Sequence, residues 1–477
     1  MRRLFPALFG AFLGLALLKF GNPPIMEEFV TRPSNGWELV LNSPWPINWG
    51  YIALGLVVLT GLLAGRWSTG TPRSLSALPF FWLLWQYLAS ARSISEQLTN
   101  PTLRHFTACV ACFYLGLFSL SGAQSLTGFW LGILCGFLLV VAFGWQQHFG
   151  GLEQTRQYFF NYIYPQAKGI SPEYLKKISS NRIFSTLFYP NALAGALLLF
   201  LPGVLGFIWR ARQRFTISAR TFLAASVTVG ALGSLYWSGS KGGWLLMLLL
   251  GLIALLRLPF QTRTRMSLVT CILLIGLGCF FAKYVGFFKK GATSVSARFD
   301  YWNAALHTAV QHPIFGTGPG TFARPYASIK RPESEMTRLA HNDYLEQASD
   351  SGWLGFIAYA AFLAGTVVYT GRYMFRFPLD KRPPRESSSL VLQSKNESKQ
   401  KPSTMQRTEP ELPHDPDLFP VWLGFLGWSL QGLFEFSLYI PALAWPAFAF
   451  AGLLLGKLPK YQNQSTKPRT ATNLRPA

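Results

Sequence analysis

The chain is divided into apolar runs of helical length, and there are too many of them for one soluble core to hide. Twelve stand out, near 4–20, 47–65, 75–92, 104–121, 126–145, 188–209, 221–237, 243–257, 267–286, 352–371, 418–435 and 438–456. A bilayer core about 30 Å thick takes roughly 20 apolar helical residues, and a segment inside it must satisfy its own backbone hydrogen bonds, as a helix does. The expected fold is therefore all-α, a polytopic integral membrane protein with about 12 transmembrane helices. Composition agrees, since half of the 477 residues are hydrophobic and only 13% are charged, about half the charged share of a soluble domain. The first run follows Met1-Arg2-Arg3 as a signal peptide would, but no small-residue cleavage pattern follows Phe20 and eleven more runs come after it. It reads as a retained helix. The cysteines, Cys109, Cys112, Cys135, Cys271 and Cys279, all fall inside apolar runs, so no secreted disulfide framework is expected.

Lys and Arg outnumber Asp and Glu 43 to 20, a net charge of +23. A nucleic-acid binder clusters such charge on a soluble face, whereas here it punctuates apolar runs. Membrane lipids, and no nucleic acid, are the expected surroundings. Cytoplasmic segments carry an excess of Lys and Arg, and an even number of spans puts both termini on one side. With the termini inside, inner segments hold 25 basic against 7 acidic residues, while outer segments and helix rims hold 18 against 12. Both termini are therefore expected in the cytoplasm, and Glu435 is left between the last two spans.

The organisation expected is N-terminal helices over 1–125 and a core over 126–371 with long outer loops at 146–187 and 287–351. An inner linker over 372–417, two last helices over 418–457 and a basic tail over 458–477 follow. Residues 378–416 are rich in Ser, Pro, Lys and Glu and read as disordered. Long loops tend to be functional. No internal repeat is visible, which weighs against a transporter built from two matched halves.

Chemistry is sought first among ionisable groups near membrane depth. Only 15 uncharged residues separate Lys241 from Arg257, about 22 Å of helix, so either the bilayer thins or Lys241 sits below the outer surface. Its setting, Ser238-Gly239-Ser240-Lys241-Gly242-Gly243, joins two helices by a turn whose amides and ammonium can hold an anion; the alternative is a lysine that snorkels from a helix end. The second outer loop carries Arg298, Trp302, His312-Pro313-Ile314-Phe315-Gly316-Thr317-Gly318-Pro319-Gly320 and His341-Asn342. The glycines suggest a tight turn and are no dinucleotide fingerprint, because the spacing is G-x-G-x-G and no strand precedes it. His307 and His312 read as packing or turn residues. His341 lies in a polar stretch that returns the chain to the membrane.

At these residues the sequence resembles the O-antigen ligase and polymerase superfamily, with its Wzy-C-type domain. Members carry H-[NSQ]-x9-G-x-x-[GTY], met here by His341-Asn342 and Gly352-Trp353-Leu354-Gly355. Upstream they have an arginine with an aromatic four residues on, then h-P-x-x-G-x-G; Arg298, Trp302 and His312 to Gly318 match. Arg182 to Asn191 looks like their R-x-x-x-T-x-x-x-P-N lead into a helix. One departure is Ser240-Lys241-Gly242, where members commonly have S-R-G; lysine keeps the charge but lacks the bidentate fork. The resemblance covers about residues 125–456.

What the resemblance implies is en bloc transfer of a glycan from undecaprenyl pyrophosphate to an acceptor hydroxyl, of lipid A-core type, at the periplasmic face of a bacterial inner membrane. The partners implied are a lipid-linked glycan donor and a glycolipid or other glycan acceptor. The polymerase that joins repeat units, a protein O-oligosaccharyltransferase and a small-anion transporter are the alternatives. A sugar hydroxyl is a weak nucleophile, and an imidazole can accept its proton during attack. His341 is the candidate base. Preorganised cations stabilise a leaving pyrophosphate, which makes Arg298 and Lys241 catalytic candidates and Arg182, Asn342 and Trp302 candidates for substrate binding. No cofactor and no metal are expected. Glu333-Ser334-Glu335, Asp415-Pro416-Asp417 beside His414, and His105 with Cys109 and Cys112 are the nearest approaches to a metal site, the last in an apolar helix where packing is the simpler reading. Glu435 can hydrogen-bond a neighbouring helix or face the site, and sequence alone leaves both open.

Overall fold

The computed structural model describes residues 4–41, 44–65, 72–166, 175, 178–187, 189–258, 260–289, 293–332, 334–376 and 418–458. Among these residues the chain is helical, without strands. In order the main helices are α1 (Phe5–Lys19), α2 (Ile47–Ala64), α3 (Arg73–Ser90), α4 (Glu96–Tyr114), α5 (Thr127–Gln146), α6 (Pro190–Arg210) and α7 (Ile217–Ser238). Then come α8 (Lys241–Leu256), α9 (Thr262–Lys289), α10 (Thr293–Gln311), α11 (Ala323–Ile329), α12 (Asp343–Arg376), α13 (Leu418–Gln431) and α14 (Pro441–Lys457). All but α10 and α11 lie on the twelve apolar runs. Six described stretches are long and apolar enough to cross a membrane: Ile47–Ala64, Glu96–Leu120, Thr127–Asn161, Pro190–Arg210, Thr262–Phe287 and Asp343–Phe375. Phe5–Lys19, Lys241–Leu256 and Pro441–Lys457 are apolar but shorter.

Three boundaries differ clearly from the sequence reading, the first being α4, which begins at Glu96 rather than near 104. Helix α12 begins at Asp343 rather than near 352, because Asn342 caps it: its side-chain oxygen accepts from the amides of Tyr344 and Leu345, both at 3.0 Å. Gly352, with φ of 71°, then bends the helix without ending it. The run at 418–435 is helical only to Gln431, so Glu435 sits in the connection between α13 and α14. Most of the linker over 372–417 and of the basic tail lies outside the described residues.

Helices α1 and α5 touch along their backbones. Gly10 and Gly14 face Phe129, Gly132 and Gly136, and a Cβ on Gly132 would come within 2.3 Å of the Ala11 nitrogen. Small residues at four-residue spacing allow this approach, which supplies van der Waals contact where lipid provides no hydrophobic drive. Phe9 and Leu13 of α1 are fully buried, and Phe12 stacks on Trp445 of α14. Further layers pair α3 with α12, α4 with α14, α6 with both α7 and α13, and α8 with α9.

One end of the bundle is tied together through its connections. Trp45 donates to the Lys19 carbonyl (2.8 Å), Ala442 to Phe20 (3.0 Å), Ile94 to Thr317 (3.0 Å), Ile183 to Trp237 (3.3 Å) and Asp343 to Gly432 (2.7 Å). These are the connections that the charge count assigns to a single face.

Candidate active site

The glycine turn of the second outer segment is what sets α10 against α12. Gly316, Gly318 and Gly320 have φ of 63°, 109° and 79°, a region that side chains disfavour. The turn plugs into the bend of α12: Thr317 donates to the Ser349 carbonyl (3.1 Å), Gly318 to the Asp350 carbonyl (2.8 Å), and Trp353 to the Pro313 carbonyl (2.9 Å). Buried Asp350 also accepts from the Gly320 amide at 2.6 Å. A Cβ on Gly352 would lie 2.1 Å from the Ile314 oxygen, and one on Gly316 would lie 2.4 Å from the Asp350 backbone. The two glycine motifs are thus two halves of one contact. Farther out, Ser334 donates to Asp300 of α10 (3.0 Å) and Tyr326 donates to the Glu335 carbonyl (2.9 Å). Burial pushes the Tyr326 phenol well above its ordinary range, aided by Tyr301, Asp300 and Glu335, so it remains a donor.

With α10 held, Arg298 and Trp302 lie one helical turn apart on it; Trp302 reaches the chain just before α12 and Arg298 reaches Glu435 in the connection between α13 and α14. His341 adopts φ of 53°, one of two non-glycine residues with positive φ among those described. Such strain costs on the order of 1–3 kcal/mol and tends to collect at functional sites. The Trp302 indole donates to the His341 carbonyl at 3.2 Å, and the imidazole packs against Tyr301, Tyr189 and Phe436, with ring centroids 5.8, 6.0 and 4.8 Å away.

Glu435 settles at the centre. One carboxylate oxygen receives the Arg298 guanidinium and the Asn191 amide, the latter at 2.6 Å, while the other lies 3.3 Å from His341 Nδ1. Asn191, the last residue of the R-x-x-x-T-x-x-x-P-N segment, passes the chain of contacts on by accepting from Arg182 at 2.7 Å. Arg182 Nε in turn donates to the Ser238 carbonyl at 2.7 Å, where Gly239, with φ of 63°, turns α7 into α8. Arg298, His341, Glu435, Asn191 and Arg182 therefore form one connected polar group drawn from four separate parts of the chain.

The other candidates stand differently. Lys241 makes no contact with Glu435; its ammonium rests over the rings of Phe287 at 3.8 Å and Tyr284 at 5.2 Å, near enough for the charges of Arg182 and Arg298 to act on it. The turn before it offers fewer amides than expected, because those of Ser240 and Gly243 are taken by the Ser238 and Ser240 hydroxyls. Asn342 is occupied in capping α12, and Trp302 in holding the His341 backbone. Among the described residues no group of three or more His, Cys, Asp or Glu is placed to hold a metal ion. His105 instead bonds the Leu438 carbonyl at 2.8 Å within the packed core.

Residues 226–360 match the family model described as O-antigen ligase, Wzy_C. The chain carries an O-antigen ligase domain. That domain spans Lys241, Arg298, Trp302, His341 and Asn342, whereas Arg182, Asn191 and Glu435 come from outside it. An uncharacterised protein of Haemophilus influenzae is 28% identical over 155 residues, a match that covers 28% of this chain and 39% of that relative's length.

The central position of Glu435 was not legible in the sequence. A lone acid between two apolar runs was the available signal. Three further buried acids, Asp343, Glu346 and Asp350, were hidden by the expectation of a loop; Asp343 accepts from the Leu438 amide (3.0 Å) and Glu346 from Ala340 (2.8 Å), so they brace the same end of the bundle.

Proposed function

We propose that the protein is a membrane glycan ligase that moves an oligo- or polysaccharide from a polyprenyl diphosphate to a hydroxyl of a lipid A-core type acceptor. The observation that carries this reading is the shared carboxylate, since Glu435 engages the imidazole of His341 and the guanidinium of Arg298 together. With Nδ1 donating to Glu435, His341 Nε2 keeps its lone pair and takes the proton of the acceptor hydroxyl. The acceptor oxygen bonds to the anomeric carbon as the bond from that carbon to the phosphate oxygen breaks, and the polyprenyl diphosphate departs with the electron pair. Arg298, Arg182 and Lys241 meet the charge that gathers on it. The histidine proton is later released to water. No metal is assigned a part in this reading, which gives the stabilising charge to Arg298, Arg182 and Lys241.

The charge asymmetry supports a site on the periplasmic side of a bacterial inner membrane, with both termini in the cytoplasm. A polymerase of the same superfamily would differ only in its acceptor. The species that accumulates in a deletion strain separates the two: unmodified lipid core with unused polymer supports the ligase, and cores capped with single repeat units support the polymerase.

A further inference from the structure

Beyond Lys241, a second lysine lies beside the cationic group. Helices α8 and α9 pack together, and the end of α9 returns to the point where α8 begins. There Lys283 donates to the Tyr236 carbonyl and lies over the Tyr236 ring at 3.1 Å from its centroid. Tyr284 is shared by the two ammonium groups, its ring centroid 5.2 Å from that of Lys241 and 5.6 Å from that of Lys283. The charges of Arg182 and Lys241 both act on Lys283. Among the described residues neither lysine has an acidic partner. Glu435, the carboxylate of the site, is already bound to Arg298. Arg182, Lys241 and Lys283 therefore form a partly buried group of like charges with no acidic partner among the described residues, the two lysines lying against aromatic rings that favour cations without neutralising them.

Neighbouring like charges repel, and an anion between them removes the repulsion while adding charge-assisted hydrogen bonds. In the ligase reading Arg182 and Lys241 serve one phosphate, which leaves Lys283 for a second. Helix α9 is the least buried of the six long apolar stretches, so Lys283 approaches the site from the lipid side. We propose that Lys283 holds the phosphate nearest the polyprenyl chain and makes the site selective for diphosphate over monophosphate carriers. This assignment rests on the ligase reading above.

The test uses full-length protein purified in detergent, with farnesyl diphosphate and farnesyl monophosphate as competitors of glycan transfer and as ligands in calorimetry. Wild type should bind the diphosphate at least about tenfold more tightly than the monophosphate, the scale of one charge-assisted contact. Lys283→Ala should weaken diphosphate binding by about tenfold, leave the monophosphate within about twofold, and so erase the preference; Lys283→Arg should restore it. Lys283→Gln serves as a second neutral variant should the alanine protein insert poorly. Equal affinity changes for both ligands, or an unchanged preference in the neutral variants, would overturn the role of Lys283. Failure of wild type to bind either prenyl phosphate would instead overturn the ligase reading on which it rests.

Discussion

Replacing Glu435 by glutamine tests the site at its centre without changing its shape. All three partners of the carboxylate are donors: Arg298 and Asn191 on one oxygen, His341 Nδ1 on the other. An amide offers one oxygen and one NH2, so it must turn its NH2 toward one side. Facing Arg298 and Asn191 would set two donors against a third, so the NH2 faces His341. The imidazole must then accept at Nδ1 and carry its proton on Nε2, which removes the base. A comparable carboxylate-to-amide change in a serine protease costs about 10^4 in turnover. Here a loss of about 10^3 to 10^4 is expected, or roughly 4–5.5 kcal/mol of barrier. The effect on stability should be smaller. The group is buried, with side-chain exposures of 5% for Glu435 and 20% for Arg298, but Arg298 keeps an acceptor, so about 1–3 kcal/mol is lost as an ion pair becomes a charge–dipole bond. The assay is transfer of labelled glycan per correctly inserted molecule, with thermal unfolding measured in parallel. Activity within about tenfold of wild type would refute the tautomer argument.

Arg298→Ala should reduce transfer by about 10^2 to 10^3, the scale of removing one preorganised contact at a developing anion. Arg298→Lys should recover part of it, and a parallel fall in inserted protein would point instead to a packing role. Gly352→Ala should destabilise the protein by about 1–3 kcal/mol from its backbone conformation alone, and more from the 2.1 Å approach to Ile314; an unchanged unfolding temperature would contradict the interlocked glycine motifs. Transfer by the purified protein should continue in EDTA, and loss of activity restored by a divalent ion would show a metal requirement.

The helices were legible because apolar runs of this length have few other fates, and each of the twelve runs lies on a helix, although α4 and α12 begin eight and nine residues before their runs. The start of α12 was misread for a physical reason. Asp343, Glu346 and Asp350 look like loop residues by charge, yet each is buried with its own backbone partner, which local polarity does not reveal. Arg298, Arg182 and His341 stand out as candidates because their spacing matches a known pattern. Their meeting on Glu435 was not visible, since it joins residues 137 and 94 positions apart through a fold in which the connections of one face converge. At the turn before Lys241, where an anion-binding role was expected of the amides, serine hydroxyls occupy two of them, a local pairing that the Gly/Ser pattern does not reveal.

The most direct test of the account is glycan transfer by the purified protein in detergent, from a polyprenyl diphosphate donor to a lipid A-core acceptor, comparing wild type with His341→Ala. The account predicts transfer by wild type and a loss of at least about 10^2 in His341→Ala at equal levels of inserted protein. Wild-type rates in His341→Ala, or transfer by neither protein while the donor is bound, would contradict it.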